Sequence, residues 1–203
     1  MMSEQYFTGK PTSESRPVDC EFEYRGHLLR FTTDAGVFSK GELDSGTRIL
    51  LKALPENVHG RVLDLGCGWG PVGVSINKTF PETDVVMSDV NERALALSQA
   101  NCKRNGTKAQ CVLSDGLDSV EGMFDVIITN PPIRAGKQVI YRMFAQSAGK
   151  LNADGELYIV IRKQQGAESA IKYLKTLFDA VDTIEKSGGF WIIRCRGGKP
   201  YEV

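Results

Sequence analysis

The stretch RVLDLGCGWG, residues 61–70, joins a short apolar strand to a loop with a glycine at every second position. Gly66, Gly68 and Gly70 lack a Cβ atom, so the chain can turn tightly there and bring bare backbone close to a ligand. The following residues, GPVGVSINKTF (70–80), have the apolar spacing of a helix. A strand, a glycine turn and a helix in succession predict the first unit of an open α/β sheet.

Strand and helix patterns continue to alternate on the C-terminal side of this unit. Predicted strands cover 84–90, 109–115, 124–132 and 155–163, and predicted helices cover 91–106, 137–151 and 168–178. Two more strands, 180–187 and 189–196, form a hairpin at Gly188-Gly189. The pattern predicts a Rossmann-like, doubly wound α/β fold: a mostly parallel seven-stranded sheet with helices on both faces and an antiparallel C-terminal hairpin.

The N-terminal part of the chain has a different character. Its first residues are polar and include two prolines, so we expect them to be mobile or to lie across the surface. A small β-hairpin turning at Arg25-Gly26 and a helix capped by Asp44 follow. The predicted division is a mobile segment at 1–18 and one domain at 19–203, made of an N-terminal extension at 19–60 and the core at 61–203.

Composition excludes several classes of protein. The 203 residues are 41% hydrophobic and 25% charged, as in an average globular domain. No run of apolar residues is long enough to span a bilayer, and the N-terminus lacks the apolar run of a secretory signal. The five cysteines are scattered and only two histidines accompany them, which favours reduced thiols over disulfides or a zinc site. We therefore expect a soluble, cytoplasmic protein with no metal.

The charges are balanced overall but unevenly distributed. Lys plus Arg and Asp plus Glu each number 25, whereas residues 131–203 carry 12 basic and 7 acidic side chains. This distribution permits a basic face in the C-terminal part of the fold.

The carboxyl ends of the predicted parallel strands carry the informative polar residues, because ligands of such sheets bind there. Asp64 stands just ahead of the glycines. Gly68, Gly70 and Gly73 fit the G-x-G-x-x-G pattern of dinucleotide sites. However, a carboxylate at that place would not stabilise a negatively charged pyrophosphate. The carboxylate would stabilise a cationic ligand, such as one with an ammonium or a sulfonium group. The alternative is an ordinary strand-to-helix turn without a ligand.

The next two strands also end in carboxylates. Asp89, followed by Val90 and Asn91, could accept hydrogen bonds from both ribose hydroxyls of an adenosine. Asn91 is also suited to cap the following helix. Asp115, after Ser114, could accept a hydrogen bond from an adenine amino group or could be a solvated loop acid.

The fourth strand ends in Asn130-Pro131-Pro132-Ile133. The prolines cannot donate to the sheet and impose an extended path, so we expect the Asn130 side chain and the Pro131 carbonyl to face the cleft. Two convergent acceptors suit a planar NH2 group and would turn its lone pair toward an electrophile. A plain loop is the alternative, because Asn-Pro is common in turns.

In order and spacing, DLGCGWG (64–70), Asp89, Asp115 and NPPI (130–133) resemble the class I S-adenosylmethionine-dependent methyltransferases. From about residue 19 to the end, the chain is similar more narrowly to the small-domain methyltransferase family, which includes ribosomal RNA guanine-N2 methyltransferases. Members carry a segment like GVFSKGELDSGTRILL (36–51) ahead of the glycine loop. The resemblance implies S-adenosylmethionine as cofactor.

Strand ends and resemblance together define the candidate site. Candidate cofactor-binding residues are Phe38, Ser39, Asp64, Gly66, Cys67, Gly68, Gly70, Asp89, Val90, Asn91, Ser114 and Asp115. By resemblance, the first two of these border the methionine end of the cofactor. Candidate catalytic residues are Asn130, Pro131, Pro132 and Ile133. Candidate substrate-binding residues, which could meet phosphates or form a solvated rim, are Arg134, Lys137, Arg162 and Lys163.

One position departs from the resemblance. Many amino-methylating relatives have an aromatic residue after Asn-Pro-Pro that stacks on the target ring, and this chain has Ile133. Ile133 can pack against a flat ring but has no π face. Either Phe38 or Tyr141 substitutes for the aromatic residue, or the target is something other than a flipped base.

The sequence therefore predicts methyl transfer from S-adenosylmethionine to an exocyclic amino nitrogen, guanine N2 of ribosomal RNA being favoured. RNA or a ribosomal subunit would be the partner, and the protein would be a monomer or homodimer. Three alternatives remain open: a protein glutamine N5-methyltransferase, a non-catalytic module that binds S-adenosylmethionine or RNA, and a nicotinamide dehydrogenase.

Overall fold

A computed structural model describes Gly9 and residues 13–200. Its strands are β1 (Val18–Tyr24), β2 (His27–Thr33), β3 (Arg61–Leu65), β4 (Asp84–Asp89), β5 (Gln110–Leu113), β6 (Phe124–Thr129), β7 (Leu151–Arg162), β8 (Phe178–Ser187) and β9 (Phe190–Gly198). Its α-helices are α1 (Ser45–Ala53), α2 (Pro71–Thr79), α3 (Glu92–Asn105), α4 (Lys137–Ala148) and α5 (Ala167–Leu177). Two short 3-10 helices occupy Ile133–Ala135 and Lys163–Gln165.

The main sheet has seven strands in the order β5-β4-β3-β6-β7-β9-β8. Strands β3 to β7 run parallel, and β9 is antiparallel to both of its neighbours. The predicted fold class is therefore confirmed. From β3 the chain first builds outward to β4 and β5 and then returns to add β6 on the other side, so a crevice opens between the ends of β3 and β6. Leu65 pairs with Thr129, which places the glycine loop beside Asn130.

Alternation along the strands sends side chains to two cores, one on each face of the sheet. Val62, Val85 and Val126 pack with α1, α2, α3 and the N-terminal hairpin. Their neighbours Leu63 and Val86 pack with α4 and α5 on the opposite face. Helices thus cover both faces, as the alternating strand and helix patterns predicted.

The β1–β2 hairpin is held to the body by two asparagines of α3. Asn105 accepts from the Arg30 N–H at 2.9 Å and donates to the Arg30 carbonyl at 2.7 Å. Asn101 makes the same pair of bonds with Thr32 at 2.8 and 2.9 Å. Four residues of helix advance about 6 Å, and two residues of strand advance about 6.7 Å. Because these distances match, the two amides take the place of a neighbouring strand.

Several boundaries differ from the sequence prediction. α4 ends at Ala148, and β7 begins at Leu151 because Leu151 pairs with Phe124 across a bulge in the register. β8 begins at Phe178, which is buried and pairs with Gly198. The first strand starts at Val18, inside the segment expected to be mobile, because Val18 pairs with Thr33.

The part of the N-terminal segment that is described lies across the surface. The Arg93 guanidinium donates to the Ser13 carbonyl at 2.8 Å, and Ser15 donates to Asp34 at 2.7 Å. Residues 1–8 and 10–12 lie outside the described residues, so the expected mobility there stays a prediction, as does the proposed division into extension and core.

Candidate active site

A pocket of about 350 Å³ lies at the crevice between the carboxyl ends of β3 and β6. This volume is in the range of small-molecule sites. The predicted site residues that line it are Phe38, Asp64, Gly66, Cys67, Gly68, Asp89, Val90, Ser114, Asp115, Asn130, Pro131 and Pro132. Residues far apart in the chain therefore converge as the strand-end argument predicted.

The glycine loop adopts the backbone conformation for which glycine is suited. Gly66 and Gly68 have φ angles of +73° and +57°, in the left-handed region that L side chains rarely occupy. The N–H groups of Gly66 and Cys67 both donate to the Ser88 carbonyl at 2.9 Å, which ties the loop to the end of β4. The pocket wall here is therefore rigid backbone.

Asp64 is a buried carboxyl at the end of β3, with 3% of its surface exposed. Its Oδ2 accepts one hydrogen bond, from the Gly73 N–H at 2.8 Å. Burial, the larger cause, and the neighbouring Asp89 carboxylate together raise the pKa of Asp64 to about 7, against the opposing effect of that hydrogen bond. A cation in the pocket would stabilise the ionised form, so the site fits a ligand with a positive charge.

The close approach of α2 to the sheet depends on Gly73. A Cβ atom there would lie 2.5 Å from the Met87 sulfur and 3.3 Å from Asp64 Oδ2. The third glycine of the G-x-G-x-x-G pattern thus serves helix packing and presents its N–H to the carboxylate.

Asp89 is held by backbone donors on both oxygens. The Gly68 N–H donates to Oδ2 at 2.8 Å and the Asn91 N–H to Oδ1 at 2.9 Å. Burial raises the pKa of Asp89, and these backbone bonds act in the opposite direction. Each carboxylate oxygen has a further lone pair, so the orientation needed to accept from two adjacent hydroxyls is already set.

Four of the predicted cofactor-binding and catalytic residues lie outside the pocket lining. Asn91 caps α3, accepting from the N–H groups of Arg93 and Ala94. Ser39 donates to the Glu42 carbonyl at 2.8 Å instead of facing the pocket. The other two are Gly70, which is the residue before α2, and Ile133, which packs with the α4 side of the core.

Asp115 lines the pocket but is paired. Its carboxylate accepts from the Arg142 guanidinium of α4, a residue that also lines the pocket and that no sequence pattern singled out. The adenine contact predicted for Asp115 would have to share the carboxylate with this arginine. A pairing between residues 27 positions apart has no local sequence signal.

The two aromatic residues considered as substitutes after Asn-Pro-Pro differ in position. Phe38 lines the pocket with 36% of its surface exposed, and its carbonyl accepts from the Trp69 indole N–H at 3.0 Å. Tyr141 lies outside the lining and stacks on Tyr173, with ring centroids 4.0 Å apart. The exposed ring of the pocket is therefore that of Phe38.

The predicted substrate-binding cations lie around the pocket, not in it. Arg134 and Lys137 are exposed on the segment that follows Pro132. At the end of β7, Arg162 lies 4.9 Å from the Phe190 ring centre. Beside it, the ammonium groups of Lys163 and Lys186 lie 5.9 and 4.3 Å from the ring centre of Trp191. We call Arg162, Lys163, Lys186, Phe190 and Trp191 the β7-end cluster.

A family model described as "Methyltransferase small domain" matches residues 28–194. The chain belongs to the methyltransferase small domain family. Its pocket is the site at which members of this fold place their ligands, at the topological switch point.

Among relatives, the chain is 45% identical over 199 residues to the uncharacterized protein YbxB of Bacillus subtilis, covering 96% of this chain and 99% of that one. It is 42% identical over 136 residues to ribosomal RNA small subunit methyltransferase C of Pasteurella multocida, covering 65% and 42% of the two chains. A solved structure of the T. thermophilus 16S rRNA N2 G1207 methyltransferase RsmC, in complex with AdoMet and guanosine, superposes with a TM-score of 0.81. The two sequences are 25% identical, and the match covers 89% of this chain and 50% of that one.

The predicted family is confirmed, as are the enzyme class, an S-adenosylmethionine-dependent methyltransferase, and its cofactor. The chain spans about half the length of the ribosomal RNA methyltransferases that it matches. Within Gly9 and residues 13–200, no three His, Cys, Asp or Glu side chains are grouped so that they could hold a metal ion. In the same part of the chain, each helix is too short or too polar to cross a membrane.

Proposed function

We propose that this protein transfers a methyl group to guanine N2 of small-subunit ribosomal RNA. The observation that carries the proposal is the position of Asn130 and Pro131, which line the same pocket as Asp64 and the glycine loop. The Pasteurella multocida relative is named a ribosomal RNA small subunit methyltransferase, and the related structure of a 16S rRNA methyltransferase was solved with both AdoMet and guanosine. Both support the same substrate class for this chain.

The pocket residues are suited to bind both the methyl donor and the methyl acceptor. S-adenosylmethionine supplies an electrophilic methyl group on a positively charged sulfur. Asp64 would stabilise positive charge on this ligand, and Asp89 would accept from its ribose hydroxyls. Asn130 Oδ1 and the Pro131 carbonyl would accept the two N–H groups of the guanine amine.

The two acceptors would turn the nitrogen lone pair toward the methyl carbon. The nitrogen–carbon bond forms as the carbon–sulfur bond breaks, the sulfur takes the bonding electrons, and the amine then loses one proton to water. No base needs to remove that proton first, so the contribution of Asn130 and Pro131 is orientation and electrostatic stabilisation.

The RNA would reach this pocket across the exposed cations. Arg134 and Lys137 flank the pocket after Pro132, and Arg162 and Lys163 stand at the end of the neighbouring strand β7. Phosphate contacts of this kind position a nucleic acid without reading its bases. The cytoplasm is the expected location of the protein.

Replacing Asn130 tests the assignment. We expect Asn130→Ala to bind S-adenosylmethionine as the wild type does but to transfer methyl at least about 100-fold more slowly, as when one aligned transition-state partner is lost. Binding is measured by calorimetry, and transfer by tritiated methyl incorporation into ribosomal RNA from a strain lacking the gene. Asn152→Ala, on the exposed start of β7, is the matched control.

Mass spectrometry of the same RNA should show that N2-methylguanosine is missing at one position and returns after treatment with the wild-type enzyme. Full turnover by Asn130→Ala would overturn the catalytic assignment. Labelling of a protein glutamine instead of RNA would overturn the substrate.

A further inference from the structure

The side-chain amide of Asn130 has a defined orientation. Its Nδ2 donates to Asp44 Oδ2 at 3.0 Å and to Thr47 Oγ1 at 2.9 Å. An ionised carboxylate has no hydrogen to donate, so the end of the amide that faces Asp44 must be the NH2 group. Within the described residues, Asn130 Oδ1 accepts no hydrogen bond.

Both partners of the amide are placed by the start of α1. Asp44 precedes the helix and caps it, accepting from the Thr47 N–H at 3.0 Å. The Thr47 hydroxyl lies 3.4 Å from the same carboxylate oxygen, so it can donate there while accepting from Asn130. Thr47 has 4% of its surface exposed, and water therefore competes little for these bonds.

The packing of α1 keeps this arrangement close to β6. Gly46, between the two partners, is buried, and a Cβ atom there would lie 2.8 Å from the Phe190 ring. The helix start is thus packed between β9 and the Asn130 loop, which limits how far Asp44 and Thr47 can move.

We propose that Asp44 and Thr47 are positioning residues that hold the Asn130 NH2 group away from the substrate and leave Oδ1 as the acceptor. The inference deepens the proposed function and rests on it for its catalytic meaning. The two ends of an amide have nearly the same shape, so packing alone does not choose between them. In the opposite orientation Asn130 would present donors to the two N–H donors of the guanine amine, and no bond would form.

A substrate-independent readout of the orientation is the NMR signal pair of the Asn130 side-chain NH2, assigned by its absence in Asn130→Ala. In the wild type we expect both protons to be protected from exchange and shifted from the values of a free amide. Thr47→Val should remove the protection of one proton, whereas Thr47→Ser, which keeps the hydroxyl, should retain it. Wild-type protons that exchange as fast as those of an exposed asparagine would overturn the proposal.

Kinetics then separate orientation from folding. We expect Thr47→Val to lower kcat about tenfold, the equivalent of about one hydrogen bond, with an unchanged dissociation constant for S-adenosylmethionine, and Thr47→Ser to restore kcat. A parallel loss of kcat, cofactor binding and melting temperature that Thr47→Ser does not restore would indicate a structural role only, and would overturn the proposal.

A second pair of variants tests the contact with Asp44 directly. Asn130→Asp places two carboxylates against each other and should abolish transfer, because each would turn away from the other. Adding Asp44→Asn should recover part of the activity, since asparagine caps a helix as well as aspartate does and can donate to the new carboxylate. Additive losses in the double variant would contradict the contact.

These measurements keep the two proposals apart. A protected Asn130 amide in a protein that leaves ribosomal RNA unlabelled would overturn the proposed substrate and leave the positioning network intact. Labelled RNA together with an unprotected amide would overturn the network and leave the proposed function intact.

Discussion

At the scale of single residues, Asp64 links the chemistry of the pocket to pH. Its pKa is raised to about 7 because the carboxyl is buried, and the one hydrogen bond that it accepts, from the Gly73 N–H, offsets only part of this effect. A group whose pKa is raised in the folded state binds its proton more tightly there than in the unfolded chain. Between the ordinary value of 3.8 and about 7, the unliganded protein therefore loses stability through Asp64 as the pH rises.

Binding of the positively charged cofactor should depend on pH in the opposite sense, because it requires the ionised carboxylate. Below pH 7 we expect affinity for S-adenosylmethionine to fall, approaching about tenfold per pH unit, since binding must then release the Asp64 proton. Calorimetry between about pH 5.5 and 8 measures this dependence. The Asp64→Asn variant should bind S-adenosylmethionine more weakly than the wild type, and its affinity should not show this fall below pH 7. An affinity that is constant over the range in the wild type would show that Asp64 does not face the charge.

The roles of single residues were only partly predictable from the sequence. Asp64 and Asn130 end strands, and strand ends can be recognised from apolar runs that stop at polar residues. Arg142 and Thr47 could not be selected, because their contacts with Asp115 and Asn130 join segments that are distant in the chain. For Asn91, the capping alternative is confirmed by its bonds to the start of α3.

At the scale of elements, α3 shows how a helix can complete a strand. Asn101 and Asn105 bind the free edge of β2, and Asn101 Nδ2 also donates to the Trp69 carbonyl in the glycine loop at 2.8 Å. Asn101 has 1% of its surface exposed, whereas Asn105 is half-buried. Since buried polar groups without partners are costly, the two asparagines should differ in their contributions to stability.

We expect Asn101→Ala to lower the free energy of unfolding by about 2–3 kcal/mol, because it leaves the buried Trp69 carbonyl and partly buried backbone groups of Thr32 unpaired. Asn105→Ala, where water can replace the amide, should cost about 1 kcal/mol or less. Urea unfolding at constant pH measures both. Affinity for S-adenosylmethionine should fall in Asn101→Ala alone, through the glycine loop. Equal losses of stability in the two variants would contradict this account.

Elements were more predictable than their boundaries. The strands and helices of the core follow from local periods of two and 3.6 residues, and all of them are present. The start of β7 at Leu151 depends on pairing with Phe124, and the start of β8 at Phe178 depends on burial of that ring. Both are set by contacts between distant segments, so the local pattern placed these strands a few residues too late.

At the scale of the whole molecule, part of the basic excess of residues 131–203 lies at the carboxyl ends of β6 and β7, where Arg134, Lys137, Arg162 and Lys163 follow the strands. The three cations of the β7-end cluster, Arg162, Lys163 and Lys186, form no ion pair with an acid within the described residues. Other arginines are neutralised, as in the pairs Arg104–Asp19 and Arg142–Asp115. Unneutralised cations over aromatic rings provide both charge for phosphates and flat surfaces for unstacked bases.

The double variant Lys163→Ala/Lys186→Ala should therefore weaken binding of ribosomal RNA without affecting S-adenosylmethionine, since neither lysine lines the pocket. For every phosphate that the protein no longer neutralises, the slope of log affinity against log salt should become shallower by about 0.7–0.9. Filter binding at several salt concentrations measures this slope. The control is Lys103→Ala/Lys108→Ala, which removes the same charge from exposed positions around the end of α3. These positions lie at the edge of the sheet where the parallel strands begin, opposite the edge that holds the pocket. A slope that falls equally in both double variants would mean that RNA responds to the net charge of the protein, and that the face beside the pocket does not guide the substrate to Asn130.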